Sequence, residues 1–234
     1  MTDEIVGSED DVAEGSPELP RKRGKSRRSG NLHVAARTRA VAKILKAGEV
    51  VFGRRGFDGA TTAEIAREAG VAKATLHYYF KTKEDLHRGV LDRLHFIWES
   101  ALNEITPEAT PAEAMGRYIA AKMRATQEHP ELTRLWALEV LSGGGRVADY
   151  LRERTRRIVE QKSIIMNRWI AEGRMDPIDP YHVIFSIWAM TQTYAETESQ
   201  IVTVMDTDGI DEEMMRRAAE TISHVMLKGL GLKA

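Results

Sequence analysis

The stretch TTAEIAREAGVAKATLHYYFKTKEDL, residues 61–86, predicts two short helices joined by a tight turn. Thr61 and Glu64 have the spacing of a capping box, in which each residue satisfies a backbone N–H of the other at a helix start. Gly70 interrupts the helical pattern, and the second helix is predicted over residues 71–80. Two such helices around a glycine-containing turn are typical of a helix-turn-helix.

Helical patterns continue on both sides of this stretch. Upstream, apolar residues fall on one stripe from Ala35 to Phe52, and Thr82 with Asp85 forms a second capping box that starts the next helix. Further along, helical segments alternate with breakers such as the glycines at 143–145. We find no alternating strand pattern, so the predicted fold class is all-α.

The charge distribution indicates a polyanionic partner for the N-terminal part. Residues 21–83 carry 16 Lys/Arg against 4 Asp/Glu, whereas residues 84–234 carry 18 against 24. Such asymmetry is typical of a nucleic-acid-binding segment joined to a neutral or acidic body. A solvated basic tail would explain residues 21–28 alone, but not the basic residues that continue into the predicted helices.

Composition excludes several other classes of protein. The chain has no cysteine, which removes disulfides, thiolate metal sites and thiol nucleophiles. No apolar run reaches the roughly 20 residues of a membrane span, and the acidic first 20 residues lack a signal core. We therefore expect a cytoplasmic protein without a membrane association.

The second helix of the motif presents a surface suited to double-stranded DNA. Leu76 and Phe80 occupy its buried face, which leaves six residues partly or wholly outward: Lys73, Ala74, Thr75, His77, Tyr78 and Tyr79. Lysine, threonine and tyrosine hydrogen-bond base edges or phosphates, and alanine permits close approach. Thr61 and Lys83 lie near helix starts, where backbone N–H groups also favour phosphate. Either tyrosine could instead be a half-buried packing residue.

The same stretch closely resembles the DNA-binding segment of the TetR family of transcriptional regulators. The resemblance covers about 50 residues and implies a three-helix DNA-binding head on an all-helical body that binds a ligand and dimerises. Two positions differ from the family pattern. Ala72 replaces the usual serine cap, a loss of about 1 kcal/mol, and His77 stands where the family most often has tyrosine.

This resemblance gives the expected domain organisation. We predict a disordered acidic and basic tail over residues 1–33, a helix-turn-helix domain over residues 34–82 and a helical effector-binding and dimerisation domain over residues 83–234. Operator sequence, and whether binding represses or activates, do not follow from the residues.

The stretch DPIDPYHVIFSIWAMTQTYAETESQ, residues 176–200, places a glutamine on an otherwise apolar and aromatic helix face of the body. Gln192 lies on the same apolar and aromatic face as Trp188, and an unpaired buried carboxamide costs a few kcal/mol. The amide must therefore meet a protein group, water or a ligand. Four of the 15 aromatic residues are tryptophans, including Trp98 on the helix after the head. Plain core packing would also explain each tryptophan.

Several segments between residues 95 and 205 also resemble the pyrimidine-utilisation regulators within the TetR family. That narrower resemblance implies uracil or thymine as effector, with Trp98 and Gln192 in the pocket and Trp188, Tyr194 and Glu139 as weaker candidates. A side-chain amide matches the N3–H and O4 edge of uracil, and indole supplies a stacking face. The alternative is a TetR-type repressor with a different ligand, a purine base or a lipophilic drug or metabolite.

The last two predicted helices, residues 179–205 and 211–232, carry apolar residues that we expect to pair two chains. These residues are Ile201, Met214, Ile222, Met226 and Leu230. The resulting homodimer would present its recognition helices about 34–36 Å apart, one turn of DNA.

Catalysis is not expected from this sequence. Glu84 and His87 have the spacing of a helix-bundle di-metal motif, but the further glutamates and second copy that such a site requires do not follow. No metalloprotease motif, glycine-rich phosphate loop or Ser-His-Asp arrangement is found. We therefore expect no catalytic residue, no metal and no cofactor.

Overall fold

The computed structural model describes the backbone of residues 25–232 and the side chains of residues 34–232. The described residues divide into two units, residues 25–39 and residues 40–232. In the first unit, the described residues are helical from Lys25, earlier than the apolar stripe begins. A helix anchored by packing further along can extend through residues without apolar periodicity. Residues 1–24 of the predicted tail lie outside the described residues.

Within the described range, the chain forms ten α-helices and one π-helical turn, and the all-α prediction is confirmed. The elements are α1 (Lys25–Gly59), α2 (Thr62–Glu68), α3 (Lys73–Tyr79), α4 (Lys83–Leu102), α5 (Pro111–Glu128), α6 (Pro130–Leu141), the π-turn (Tyr150–Thr155), α7 (Arg156–Ala171), α8 (Pro180–Glu196), α9 (Glu198–Met205) and α10 (Glu212–Gly229). Over this range no helix combines the length and apolarity needed to cross a membrane.

The helix ends follow the local sequence. Gly56 adopts φ 68° and ψ 177°, a conformation that breaks α1 just before its end and that glycine tolerates best. The Thr82–Asp85 capping box is formed in both directions. Thr61 accepts the predicted bond from the Glu64 backbone N–H, but the Glu64 carboxylate pairs with Arg55 at 2.9 Å. Ala72 supplies no side-chain cap to α3, as expected.

One apolar core joins α1–α4 to α6. Its fully buried members include Ile44, Phe52, Ile65 and Leu76 in the head, and Leu86 and Val90 on α4. The same cluster continues into Leu132, Leu135 and Trp136 on α6. The head therefore packs directly on one helix of the body as well as on α4.

A second core fills the body between α5, α7, α8 and α10, around Tyr118 and Trp169. It also contains Ile222, Met226 and Leu230. The prediction that these three residues are left over for a second chain is wrong, because α10 and Leu230, which follows it, close the core of their own chain. Apolar periodicity identifies a buried face but not the chain that covers it.

Candidate functional site

The turn between α2 and α3 sets the direction of α3. Gly70 takes φ 64°, which an L-residue with a side chain adopts reluctantly. The Val71 N–H then donates to the Ala66 carbonyl at 3.0 Å, which closes the turn. Leu76 is fully buried and fixes α3 on the head core. The opposite side of α3 is consequently free for a partner.

Five of the six predicted outward residues on α3 form one surface, which we call the α3 surface: Lys73, Ala74, Thr75, Tyr78 and Tyr79. Lys73, Ala74 and Tyr78 are exposed, and Thr75 and Tyr79 are half-buried. The Tyr78 side chain is 70% exposed and meets the Tyr79 ring edge-on at a centroid distance of 5.0 Å. The ammonium of Lys81, also exposed, lies 5.9 Å from the centroid of the Tyr78 ring, so a tyrosine and a lysine both offer donors to phosphate oxygens here.

His77 lies at the edge of the α3 surface and also holds α3 to α2. Its Nε2 is 3.4 Å from the Thr62 hydroxyl. Thr61, immediately before α2, is exposed. Its hydroxyl oxygen accepts from the Glu64 N–H, so its proton remains available to an acceptor.

Lys83 has a structural partner in addition to its predicted phosphate role. Its ammonium donates to the carbonyls of Phe57 at 2.9 Å and Ala60 at 3.1 Å. It also lies 4.3 Å from the centroid of the Phe57 ring. Lys83 therefore ties the end of α1 to the start of α4, with two of its three donors in use.

The body contains a cavity of about 60 Å³ that is partly open to solvent. It lies among α4, α5, α6, the π-turn, α7 and α8. Its lining residues are His95, Trp98, Glu99, Leu102, Lys122, Trp136, Leu151, Arg154, Thr155, Ile158, Trp188 and Gln192. Three of the predicted ligand residues, Trp98, Trp188 and Gln192, are thus brought together.

Tryptophan side chains line the cavity with their ring faces, and one of them also has an indole N–H that is unpaired within the described part of the chain. Trp98 meets Trp136 edge-on, with ring centroids 5.3 Å apart. The Trp98 indole Nε1 is buried and has no hydrogen-bond partner among the described residues. By contrast, the Trp188 indole N–H donates to the Tyr118 hydroxyl at 2.7 Å. Trp188 therefore offers only its ring to the cavity, whereas Trp98 offers both its ring and a donor.

Gln192 is 7% exposed, and its side-chain amide uses only part of its hydrogen-bonding capacity. Its amide nitrogen donates to the Glu196 carboxylate at a long 3.4 Å. Since a carboxamide has two N–H donors and a carbonyl acceptor, one donor and the oxygen remain for a ligand.

Lys122 also lines the cavity, and we did not predict it. Its side chain is 1% exposed, and its ammonium lies 4.1 Å from the Trp98 ring centroid. Burial lowers the pKa of Lys122 to about 7, while the Glu196 carboxylate opposes the shift. The signal in the sequence was its spacing, since Lys122 follows Met115 and Tyr118 on the buried stripe of α5.

Tyr194 and Glu139, the other two predicted ligand residues, lie outside the cavity lining. Tyr194 packs against the body core. The Glu139 carboxylate lies 3.1 Å from His87 Nε2 and 3.6 Å from Arg146, and burial raises its pKa. A buried carboxylate needs cationic or donor partners, and the cationic one here is Arg146. Because burial lowers the pKa of His87 to about 4, that imidazole is neutral at pH 7.

The amino end of α6 contacts α1 closely, at what we call the α1–α6 contact. The Glu49 carboxylate is fully buried, 3.3 Å from His129 Nδ1 and 2.7 Å from the Lys46 ammonium. Gly53 faces Glu131, where a Cβ added to the glycine would lie 2.5 Å from the Glu131 carbonyl oxygen. Since α6 also carries Trp136 into the cavity, one helix joins the cavity wall to the head.

Gly53→Ala is expected to lower the free energy of unfolding by about 1–3 kcal/mol, because the new methyl group must push two helix backbones apart. Gly116→Ala on α5 is the matched control, because a Cβ there meets nothing within 4 Å. That control is expected to add about 0.5–1 kcal/mol. Urea unfolding of both variants measures the difference, and equal effects would contradict the close contact.

Because the pKa of Lys122 is lowered in the folded protein, we expect the free energy of unfolding to depend on pH. Between pH 7 and the ordinary pKa of lysine, the unfolded chain holds a proton that the native lysine has lost. Stability therefore rises with pH through this window, by up to about 1.4 kcal/mol per pH unit. Lys122→Met is expected to remove that rise in urea unfolding measured from pH 7 upward. A variant with the slope of the wild type would show that Lys122 keeps an ordinary pKa.

A helix-turn-helix with an exposed second helix, joined to a helical body that encloses a cavity, defines a class of DNA-binding transcription regulators. Residues 44–90 match the family described as bacterial regulatory proteins, tetR family. Residues 91–233 match the C-terminal region of YcdC-like proteins, a TetR-type C-terminal family. The chain belongs to the TetR family and is a DNA-binding transcription regulator.

Individual relatives agree with this assignment. The chain is 33% identical over 198 residues to the HTH-type transcriptional regulator RutR of Escherichia coli strain K12, which covers 83% of this chain and 93% of the relative. It is 26% identical to the HTH-type transcriptional repressor NicS of Pseudomonas putida, over 80% of this chain and 90% of the relative. The solved structure of the ketosteroid transcriptional regulator KstR2 of Mycobacterium tuberculosis shares the fold, with TM-score 0.61, 20% identity and coverage of 83% and 97% of the two chains.

Proposed function

We propose that this regulator is a dimeric repressor that binds a palindromic operator through α3 and is released by a small planar heterocycle, uracil or thymine. The observation that carries the ligand part of the proposal is a partly unsatisfied amide, Gln192, in a cavity walled by Trp98 and Trp188. Similarity to the HTH-type transcriptional regulator RutR over most of both chains supports the regulatory part of the proposal.

The α3 surface supports the DNA-binding role. Lys73, Tyr78 and Thr61 are exposed on one side of the head and supply donors for phosphates and base edges. His77 and Tyr79 are half-buried and contribute less exposed area. DNA affinity then falls linearly with salt on logarithmic axes, because each neutralised phosphate releases counterions.

Exposed apolar side chains on α8, α9 and α10 support the homodimer. Phe185 is 46% exposed, Val204 78% and Val225 51%. Ile201 and Met214, which were predicted at this interface, are half-buried. These positions replace the buried residues Ile222, Met226 and Leu230 in the proposed contact, since a dimer interface needs apolar area that its own chain leaves uncovered.

The cavity chemistry supports a planar oxo-heterocycle. Gln192 keeps one N–H and its oxygen for the ring edge, complementary to the N3–H and O4 of a pyrimidine. The Trp98 and Trp188 rings supply stacking faces. A site that hydrogen-bonds its ligand rejects analogues that lack those groups far better than an apolar pocket does.

Two helices support coupling between the cavity and the head. The first is α4, which carries Trp98 in the cavity wall and Leu86 and Val90 in the head core. The second is α6, which carries Trp136 in the wall and meets α1 at the α1–α6 contact. A ligand that shifts either helix changes the spacing of the two heads, and a coupling of about 1–3 kcal/mol is sufficient for regulation.

A thermal-shift screen tests the ligand assignment. It compares uracil, thymine, cytosine, purine bases and a lipophilic compound on the full chain. Uracil at 100 times its dissociation constant is expected to add about 2.7 kcal/mol of stability. A shift with purines or the lipophilic compound alone would favour the alternative ligand class. No shift with any pyrimidine would refute the pyrimidine assignment.

A further inference from the structure

Two buried hydrogen-bond donors in the cavity lining have no hydrogen-bond acceptor among the described residues. The Lys122 ammonium makes no hydrogen bond or ion pair with any described residue, and its close neighbour is the face of the Trp98 ring. The Trp98 indole N–H is also unpaired. Two buried donors, one of them cationic, therefore border the same space.

The other polar groups of the lining do not neutralise this cation. His95 Nε2 is 3.3 Å from the Thr155 hydroxyl, and burial lowers the His95 pKa, which disfavours the charged form of the ring. The Arg154 guanidinium is exposed and pairs with Asp92 at 3.3 Å. The Glu99 carboxylate is exposed to solvent.

Glu196 is the anion with the strongest influence on Lys122, and it lies at the protein surface. Its carboxylate accepts from the Gln192 amide, and burial raises its pKa. A ligand in the cavity would seal Lys122 further from water, and a sealed ammonium requires an anion or acceptor in contact with it.

We infer, building on the proposed function, that Lys122 and the Trp98 indole N–H form an oxyanion subsite, and that the effector is an acidic planar oxo-heterocycle bound as its anion. On binding, a ring N–H bond of the neutral ligand breaks and its proton passes to solvent, while Lys122 stays an ammonium. The ring oxygen then carries the negative charge beside the ammonium. The occupied cavity therefore holds a balanced ion pair.

This subsite makes acidity a criterion of ligand choice in addition to shape. Burial lowers the pKa of Lys122 to about 7, and a ligand anion in contact with the ammonium would raise that pKa again. A stronger acid releases its ring proton at a lower cost, and the charge-assisted hydrogen bond of its anion is stronger than a neutral one. Within a series of equal size, the stronger acid is therefore the tighter ligand.

Calorimetric titration of the full chain with three pyrimidines tests the inference. Uracil is compared with 5-fluorouracil, a stronger acid that differs by one fluorine atom, and with 1,3-dimethyluracil, which has no ring N–H. The wild type is expected to bind 5-fluorouracil about tenfold more tightly than uracil, and 1,3-dimethyluracil not measurably.

Lys122→Met is expected to weaken uracil binding about 10- to 100-fold, the scale of one charge-assisted hydrogen bond. It should also abolish the preference for 5-fluorouracil. Lys162→Met is the matched control, because Lys162 is a buried lysine whose ammonium donates to the Ile105 carbonyl at 3.1 Å, outside the cavity lining. This control should keep both the affinity and the preference.

Equal wild-type affinity for uracil and 5-fluorouracil, or a preference that survives in Lys122→Met, would overturn the oxyanion subsite while leaving the pyrimidine-responsive function intact. If none of the three pyrimidines binds the wild type, the proposed function and the inference both fail. The wild-type series decides the question even if Lys122→Met does not fold.

Discussion

Lys73→Ala is expected to reduce operator binding by about 1–3 kcal/mol for each recognition helix, and thus by twice that for a dimer. Lys73 is the first residue of α3 and is exposed, so its ammonium can reach a phosphate or a guanine edge. Fluorescence anisotropy with an operator selected from random duplexes measures the loss. A reduced salt slope would identify a phosphate contact, whereas relaxed sequence preference would identify a base contact.

Lys228→Ala is the control for this experiment, since Lys228 is an exposed lysine on α10, remote in sequence from the helix-turn-helix. It is expected to bind the operator as the wild type does. Tyr78→Phe should also lose affinity, because its exposed hydroxyl can donate to phosphate. If Lys73→Ala and Tyr78→Phe both bind normally, the α3 surface does not contact DNA.

Gln192→Ala is expected to weaken uracil binding about 100-fold or more. The substitution leaves the N3–H and O4 of the ring without partners inside the cavity, where unpaired polar groups are costly. Calorimetric titration measures the change, and circular dichroism confirms that the helical content is retained. Operator binding without ligand should be unchanged, because Gln192 lies in the body cavity and not on the α3 surface.

Tyr194→Phe tests whether the ligand contacts the face of α8 that lines the cavity or another face of this helix. Tyr194 lies two residues from Gln192 but packs against the body core instead of lining the cavity. Its hydroxyl should therefore be dispensable for uracil binding. A large loss in Tyr194→Phe with none in Gln192→Ala would place the ligand on a different face of α8.

The helix-turn-helix was predictable from sequence because local chemistry determines it. Gly70 sets the turn, Leu76 faces the core, and the Thr82–Asp85 capping box starts α4 as expected. The second expected capping box is only half formed, since Arg55 competes for the Glu64 carboxylate. Arg55 lies on another helix, and such a partner cannot be identified from spacing along the chain.

The cavity was only partly predictable, because its walls come from elements distant in sequence. Trp98, Trp188 and Gln192 are among the residues that line it. Lys122 was missed because a single lysine within an apolar stripe is easily assigned to the surface, where its ammonium would remain solvated. Glu139 on α6 pairs with Arg146, which follows that helix, and lies beside His87 of α4, an arrangement that requires knowledge of how the segment after α6 folds back and how α4 and α6 cross.

The most direct test of the account is a titration of the operator complex with uracil. At low salt and with a selected operator, saturating uracil is expected to weaken DNA binding about 5- to 150-fold, the usual range of allosteric coupling. The Gln192→Ala complex should keep its DNA at the same uracil concentration. If uracil occupies the cavity of the wild type and operator affinity does not change, the cavity does not control DNA binding and the account is contradicted.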